Sequence, residues 1–326
     1  MTENNKPQAS DDQQEQSGAF SDALKASREK ADAEEAAPTR TLWSDAWKRL
    51  KKNKLAVIGA VWIVFVVLVA LTADLWAPQL LGSPTDIDTT TVAQSSKLPP
   101  SPEHPFGTDA TGRDQLVRVI YGSRVSLTVG VIATLISTGI GLVMGALAAF
   151  YGGWFDTIIM RLADMFLAIP YTLFVITMLA VMGQGIQNVF IAIGVLGWPS
   201  IARVFRSAIL SVKENDYVDA ARAMGASDLR IIARHIFPNS VASIVVYATM
   251  NIGGAILTES ALSYLGMGVT PPTPSWGIMI QDGQTFLQTQ PWLMIMPGLA
   301  ILSTVLAFTL LGDGLRDALD VKMKDA

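Results

Sequence analysis

Few side chains in this chain could do chemistry. Among 326 residues there are two histidines and no cysteine, which excludes disulfides, thiolate metal sites and cysteine nucleophiles. His104 and His235 fall in separate polar stretches outside every apolar run. Neither an imidazole zinc site nor a serine–histidine pair can therefore form inside a bilayer. Asp109, Arg113 and Asp114 suggest a cation loop, but a calcium loop needs a further acid at its second ligand position and a glutamate at its twelfth. Thr111 and Ile120 stand there, and no metal is expected. No Gly-x4-Gly-Lys-Ser/Thr loop is present to hold nucleotide phosphates, nor any Gly-Lys pair. What remains are polar residues stranded in apolar runs. Arg161 and Asp164, one turn apart, should pair locally. Asn251 and Glu259 are the substrate-path candidates, because an acid inside a membrane helix marks a functional site by default. Glu259 would lie roughly 27 Å along its helix from the inner end, at about 1.5 Å per residue, where a hydrogen-bonded structural acid is the competing reading.

The other residues arranged for a task lie in Lys213 to Asn239, KENDYVDAARAMGASDLRIIARHIFPN. Asp216 can cap a helix, and Asp219 sits at its positive end. Tyr217, Ala220, Ala221 and Met224 then share one face, mostly small, that another protein could approach closely. Gly225 stands where a helix end needs a left-handed residue, and Ser227 can cap a second helix carrying Leu229, Ile232, Ala233 and Ile236 on one side. Pro238 should close the unit. Arg222, Arg230, Arg234 and His235 fall on the polar side, which places the hairpin in water at a membrane surface.

The surrounding elements are apolar. Half of the residues are hydrophobic and 16% are charged, with a mean hydropathy of +0.38, values that exclude an ordinary soluble enzyme. Residues 1–40 are polar and poor in large apolar side chains, and read as a disordered cytoplasmic tail without a signal peptide. Residues 41–54 mix Leu42, Trp43, Trp47 and Leu50 with Lys48, Arg49, Lys51, Lys52 and Lys54, the pattern of an interfacial helix on anionic lipid. Six spans follow, at 55–76, 125–150, 158–182, 189–210, 241–265 and 291–311, each near the length a bilayer needs. The basic cluster should stay inside, and the outer loop 267–290 has no Lys or Arg. Residues 77–124 then form an extracytoplasmic loop with an extended strap and a short amphipathic helix. In that helix Leu116, Val117, Ile120 and Tyr121 would face lipid. Within 125–311, Gly130, Gly139, Gly141 and Gly145 offer close-packing faces. Pro170 should kink the third span, and Arg203 and Arg206 should snorkel to phosphates. Residues 312–326 form a second cytoplasmic tail.

Asp219-Ala220-Ala221, three residues, Gly225, and then His235-Ile236-Phe237-Pro238 resemble the EAA loop of ABC importer permeases. Asp219 stands where that family usually has Glu, His235 where Ile is common, and Phe237 where Leu is usual. The segment 104–127, the run Glu259 to Gly277 and Gly312 to Asp320 are similar to the dipeptide, oligopeptide and nickel branch. The resemblance covers Thr41 to Met323. It implies an all-α integral membrane protein with six transmembrane helices and both termini cytoplasmic, like a type I ABC importer permease, multi-pass in the cytoplasmic membrane. It further implies peptide import by alternating access, with coupling through Asp216, Tyr217, Asp219, Ala220, Ala221, Met224 and Gly225 to one or two ATP-binding subunits. ATP and Mg would sit on those partners and no cofactor on this chain. A second permease forming a heterodimer and an extracytoplasmic substrate-binding protein complete the expected partners, together with membrane lipid and without nucleic acid. Three alternatives stay open here: an ion-coupled secondary transporter using Arg161, Asp164 or Glu259, a nickel-importing permease, and a non-transporting membrane scaffold whose inner loop merely binds a partner.

Overall fold

The computed structural model describes residues 42–87 and 90–319. The tail expected over residues 1–40 and the end of the chain from 320 lie outside the described residues. An N-terminal unit reaches Asp45, of which only the start of one helix is described, and a compact body begins at Ala46.

Among the described residues the regular structure is helical, with one isolated bridge between Thr108 and Asp114. Helix α1, Leu42–Lys52, ends at Asn53, whose side chain accepts from the Ala56 N–H at 3.2 Å and so caps α2, Lys54–Leu81. Along α2, Ile58, Val61, Phe65, Leu68, Leu71 and Leu75 stay exposed at helical spacing, a face suited to lipid. After a four-residue turn, α3 (Val92–Ser95), the chain forms α4 (Gln115–Tyr151), α5 (Gly153–Ala168), α6 (Tyr171–Met182) and α7 (Ile186–Lys213). The hairpin helices are α8, Asp216–Ala223, and α9, Asp228–Ile231; the latter runs through a π turn, Ile232–Ile236, into α10, Phe237–Tyr264. Helices α11, Trp276–Gly283, and α12, Trp292–Leu319, complete the body. Among the described residues five helices are long and apolar enough to cross a membrane, and α5 with α6 makes a sixth span if the bent pair is counted as one.

Glycines set the closest packing. A Cβ on Gly145 of α4 would stand 2.6 Å from the Ala202 carbonyl oxygen of α7, and one on Gly130 would stand 2.6 Å from Ile256 of α10. Gly141 meets Ile201 in the same way, and Gly194 of α7 meets Ile136 and the Ala133 carbonyl of α4. Dispersion between such close backbones holds helices together where lipid removes the hydrophobic drive. Gly139 is different from the expectation: nothing approaches it within 4 Å.

Several expected boundaries move. The second span and the amphipathic helix before it are one helix of 37 residues, begun where the Asp114 carboxylate accepts from the Val117 N–H at 3.0 Å. Val117 and Ile120 are buried rather than lipid-facing; beside them Trp276 of α11 donates to the Val119 carbonyl at 2.9 Å, and Gln115 donates to the Leu293 carbonyl at 3.0 Å. The third span is broken, not merely kinked. Ile169 is extended ahead of Pro170, as the proline ring requires, and α5 and α6 meet at 88°. Pro238 falls in the first turn of α10, where its missing N–H has no intrahelical partner to lose, so it does not close the hairpin. The first span continues to Leu81, and the last to Leu319 through residues expected in a tail.

The loop that leads into α4 is tied by its acids and bases. Asp109 accepts from the backbone and side chain of Thr111 and from the Arg113 backbone, and pairs with the Arg113 and Arg118 guanidiniums. Asp114 also bonds His104 at 2.8 Å. These contacts account structurally for the residues that suggested a cation loop. Burial pushes the Asp109 carboxyl up, but Arg118 and Arg113 pull it further down, leaving it below the ordinary carboxylate range.

Candidate functional site

The hairpin is built from local rules. Asn215, not Asp216, occupies the N-cap, with its side chain turned back to donate to the Ser211 and Val212 carbonyls at 3.1 and 2.9 Å. Asp216 and Asp219 lie in the first turn of α8, where the dipole favours them. At the other end Gly225 has φ +81°. The Ala226 N–H bonds the Ala221 carbonyl at 3.1 Å and the Gly225 N–H bonds the Arg222 carbonyl at 3.0 Å, the double closure of a Schellman motif. Gly225 is therefore needed for its backbone conformation; a Cβ there would meet nothing within 4 Å.

Helix α8 has two faces, and they divide the expected set. Val218 and Ala221 point inward and are buried with Phe150 of α4, Phe205 and Ile209 of α7, and Ile231, Ile236 and Ile244. Ala221 is thus a seat residue and not part of an outer face, which corrects the expectation for it. Tyr217 and Met224 are 45% and 82% exposed, and Asp216, Asp219 and Ala220 are exposed beside them. Asp219 pairs locally with Arg222 at 3.3 Å. On the second helix Ile231 and Ile236 are buried with Ile232 partly covered, so the expected Ile232 and Ile236 face inward with Ile231 beside them, while the side chains of Leu229 and Ala233 lie outside the described residues.

The seat is fixed to the ends of the spans. Lys213 Nζ donates to the Phe150 and Ala149 carbonyls at 2.9 and 3.3 Å, a cation on the negative end of α4. Arg206 donates from Nε and Nη2 to both Asp156 oxygens at 2.6 Å, and Arg203 pairs with Asp164, which also meets Arg161 at 3.7 Å. Arg203 and Arg206 are thus bonded to α5 instead of reaching toward phosphates. Sequence reasoning missed Val218, Lys213 and these cross-helix pairs; the spacing of Val218 and Ala221 was the available signal for the seat.

The two path candidates separate. Asn251 lines a cavity of about 260 Å³ between α4, α6, α7 and α10, together with Ser137, Tyr171, Ser200, Tyr247 and Thr258. Glu259 does not line it. Its carboxylate is fully buried and accepts from Ser126 at 2.8 Å and Ser263 at 2.7 Å, with Ser260 at 3.4 Å, so it joins α10 to α4.

Comparison with known proteins agrees with this architecture. Residues 140–325 match the family model for the binding-protein-dependent transport system inner membrane component, and residues 41–100 match the N-terminal TM domain of oligopeptide transport permease C. The chain is 44% identical over 283 residues to the dipeptide transport system permease protein DppC of Alkalihalophilus pseudofirmus, covering 86% of this chain and 90% of that one. It is 42% identical over 285 residues to the glutathione transport system permease protein GsiD of Escherichia coli strain 536, covering 87% and 92%. Among solved structures, an inward-facing form of the MetNI methionine ABC transporter superposes with a TM-score of 0.52 at 19% identity, over 62% of this chain and 96% of that one; at that identity the match speaks to the fold.

Proposed function

Since this chain belongs to the family of binding-protein-dependent transport system inner membrane components, an ABC importer permease of the inner membrane, we propose that its cargo is short peptides and that α8 couples it to a separate ATPase. The cargo reading rests on the dipeptide and glutathione permeases that it resembles over most of its length. The coupling reading rests on one observation: α8 is seated by Val218 and Ala221 and turns Tyr217, Ala220 and Met224 outward. A seated helix with an exposed apolar strip between acids is a docking element, and what pushes it moves α4 and α7 through the seat. Both termini and the hairpin would be cytoplasmic, following the arginines of the hairpin and their absence from residues 267–290. ATP and Mg would be held by the ATPase partner. A second permease would complete the path, and an extracytoplasmic binding protein would deliver the cargo.

The test is co-purification of the membrane-inserted chain with its ATPase subunits, comparing the native sequence with Tyr217→Ala/Met224→Ala. The native chain should retain the ATPase and the double variant should lose most of it. If the double variant retains the ATPase as well as the native chain does, α8 is not the docking element. An ATP-driven permease and an ion-coupled carrier differ also in the spans: Arg161 and Asp164 satisfy each other and Arg203, and Glu259 is held by serines.

A further inference from the structure

The geometry points to the cavity around Asn251 as a cargo-contact site that reads the peptide backbone by neutral hydrogen bonds and is indifferent to the charge of the cargo's side chains; this rests on the peptide reading above. Tyr247, Asn251 and Thr258 fall four and seven residues apart on one face of α10, a polar stripe about 16 Å long at about 1.5 Å per residue. Ser137 of α4, Tyr171 of α6 and Ser200 of α7 face the stripe across the cavity. No Asp, Glu, Lys, Arg or His lines it.

Hydrogen-bonding capacity is left over inside. The hydroxyls of Tyr171, Ser137 and Thr258 donate to the carbonyls of Ile193, Thr134 and Gly254 at 3.1, 3.1 and 2.9 Å, which leaves their oxygens as acceptors. Among the described residues, the Asn251 amide and the Tyr247 and Ser200 hydroxyls bond no protein group. An amide side chain offers one acceptor and two donors, and each peptide unit of a cargo offers one donor and one acceptor. Asn251 can therefore meet a peptide unit in both directions. Three unpaired polar groups on membrane-spanning helices are costly unless water or cargo satisfies them, so the cavity fits a hydrated path better than a packed core. Its 260 Å³ is below the roughly 300–1,000 Å³ of a pocket that encloses a small ligand, so this chain supplies one wall, open to a ligand larger than the cavity.

The test uses the complete importer, with its partner permease, ATPases and binding protein, in vesicles, and measures ATP-dependent uptake of alanyl-alanine, alanyl-lysine and alanyl-glutamate. Recovery of the intact complex controls for folding. Asn251→Leu should lower uptake of all three by a similar factor, about tenfold, the size of one lost hydrogen bond. Asn251→Asp should restore the neutral peptide in part but lower alanyl-glutamate about tenfold relative to alanyl-lysine, a ratio that a structural role would not move. Native-like uptake by Asn251→Leu, or an Asn251→Asp complex blind to cargo charge, overturns the site while leaving peptide import intact. Failure of the native complex to import any of the three overturns the peptide reading, and the site with it.

Discussion

Glu259 shows what a single buried carboxylate does in this chain. It gathers hydroxyls from Ser126, Ser263 and Ser260, and its removal leaves those donors buried without a partner. Glu259→Ala should therefore lower the melting temperature of the purified complex, at a cost of roughly 1–3 kcal/mol per unsatisfied group, while Glu259→Gln, which keeps an acceptor oxygen, should lower it less. Lost uptake with an unchanged melting temperature in both variants would instead make Glu259 a ligand. The sequence exposes an acid in an apolar run but not its partners, since Ser126 is 133 positions away; Gly225 is legible because the need for a positive φ is local. Asp109 yields a second expectation. Its folded pKa lies below the ordinary value, so its ion pairs contribute stability that is present above the unfolded pKa and lost as pH falls through the folded one. A melting temperature followed from neutral pH into the acid range should fall, and the part of that fall due to this site should be missing in Asp109→Asn. An identical acid profile in the variant would deny Asp109 that role.

At the scale of elements, α8 was readable and the elements around it less so. Its acids, small residues and closing glycine are nearest-neighbour signals, whereas the burial of Ala221 depends on Phe205 and Ile209 of another helix. The π turn Ile232–Ile236 that follows α9 is announced by no spacing rule, and the 88° break at Pro170 exceeds what a proline alone dictates. The same distinction predicts two kinds of hairpin defect. Gly225→Ala forces a side chain into a left-handed backbone at about 1–2 kcal/mol without a clash. It should loosen the end of α8 and slow peptide uptake several-fold, with the ATPase still recovered. Val218→Asp buries a charge in the seat and should uncouple: ATP hydrolysis persists while uptake falls. Measuring both rates on one preparation separates the two, and a Val218→Asp complex with normal uptake per ATP would remove the seat from the coupling path.

Across the whole molecule, the helical membrane architecture is legible in composition and span count and the family in the likeness of the hairpin to the EAA loop, yet the connections that would carry a push on α8 to the spans lie between residues far apart in sequence. Seat and ion pairs meet the same helix: α7 carries Phe205 and Ile209 into the seat and Arg203 and Arg206 onto α5. Helices α5 and α7 should therefore move together at this end. The Arg206–Asp156 pair is partly exposed, so its worth to folding is small, about 1 kcal/mol after solvent screening, but its two parallel bonds fix an angle between helices. Its loss should appear in coupling more than in stability. We expect Arg206→Ala to raise the ATP consumed per peptide imported by up to about fivefold, the factor to which about 1 kcal/mol corresponds, with the melting temperature nearly unchanged. The exchanged pair Asp156→Arg/Arg206→Asp should recover part of the loss, since it keeps opposite charges between α5 and α7. Unaltered stoichiometry in Arg206→Ala would mean that α5 follows α7 through packing alone, by way of Ile159, Ala163 and Trp198.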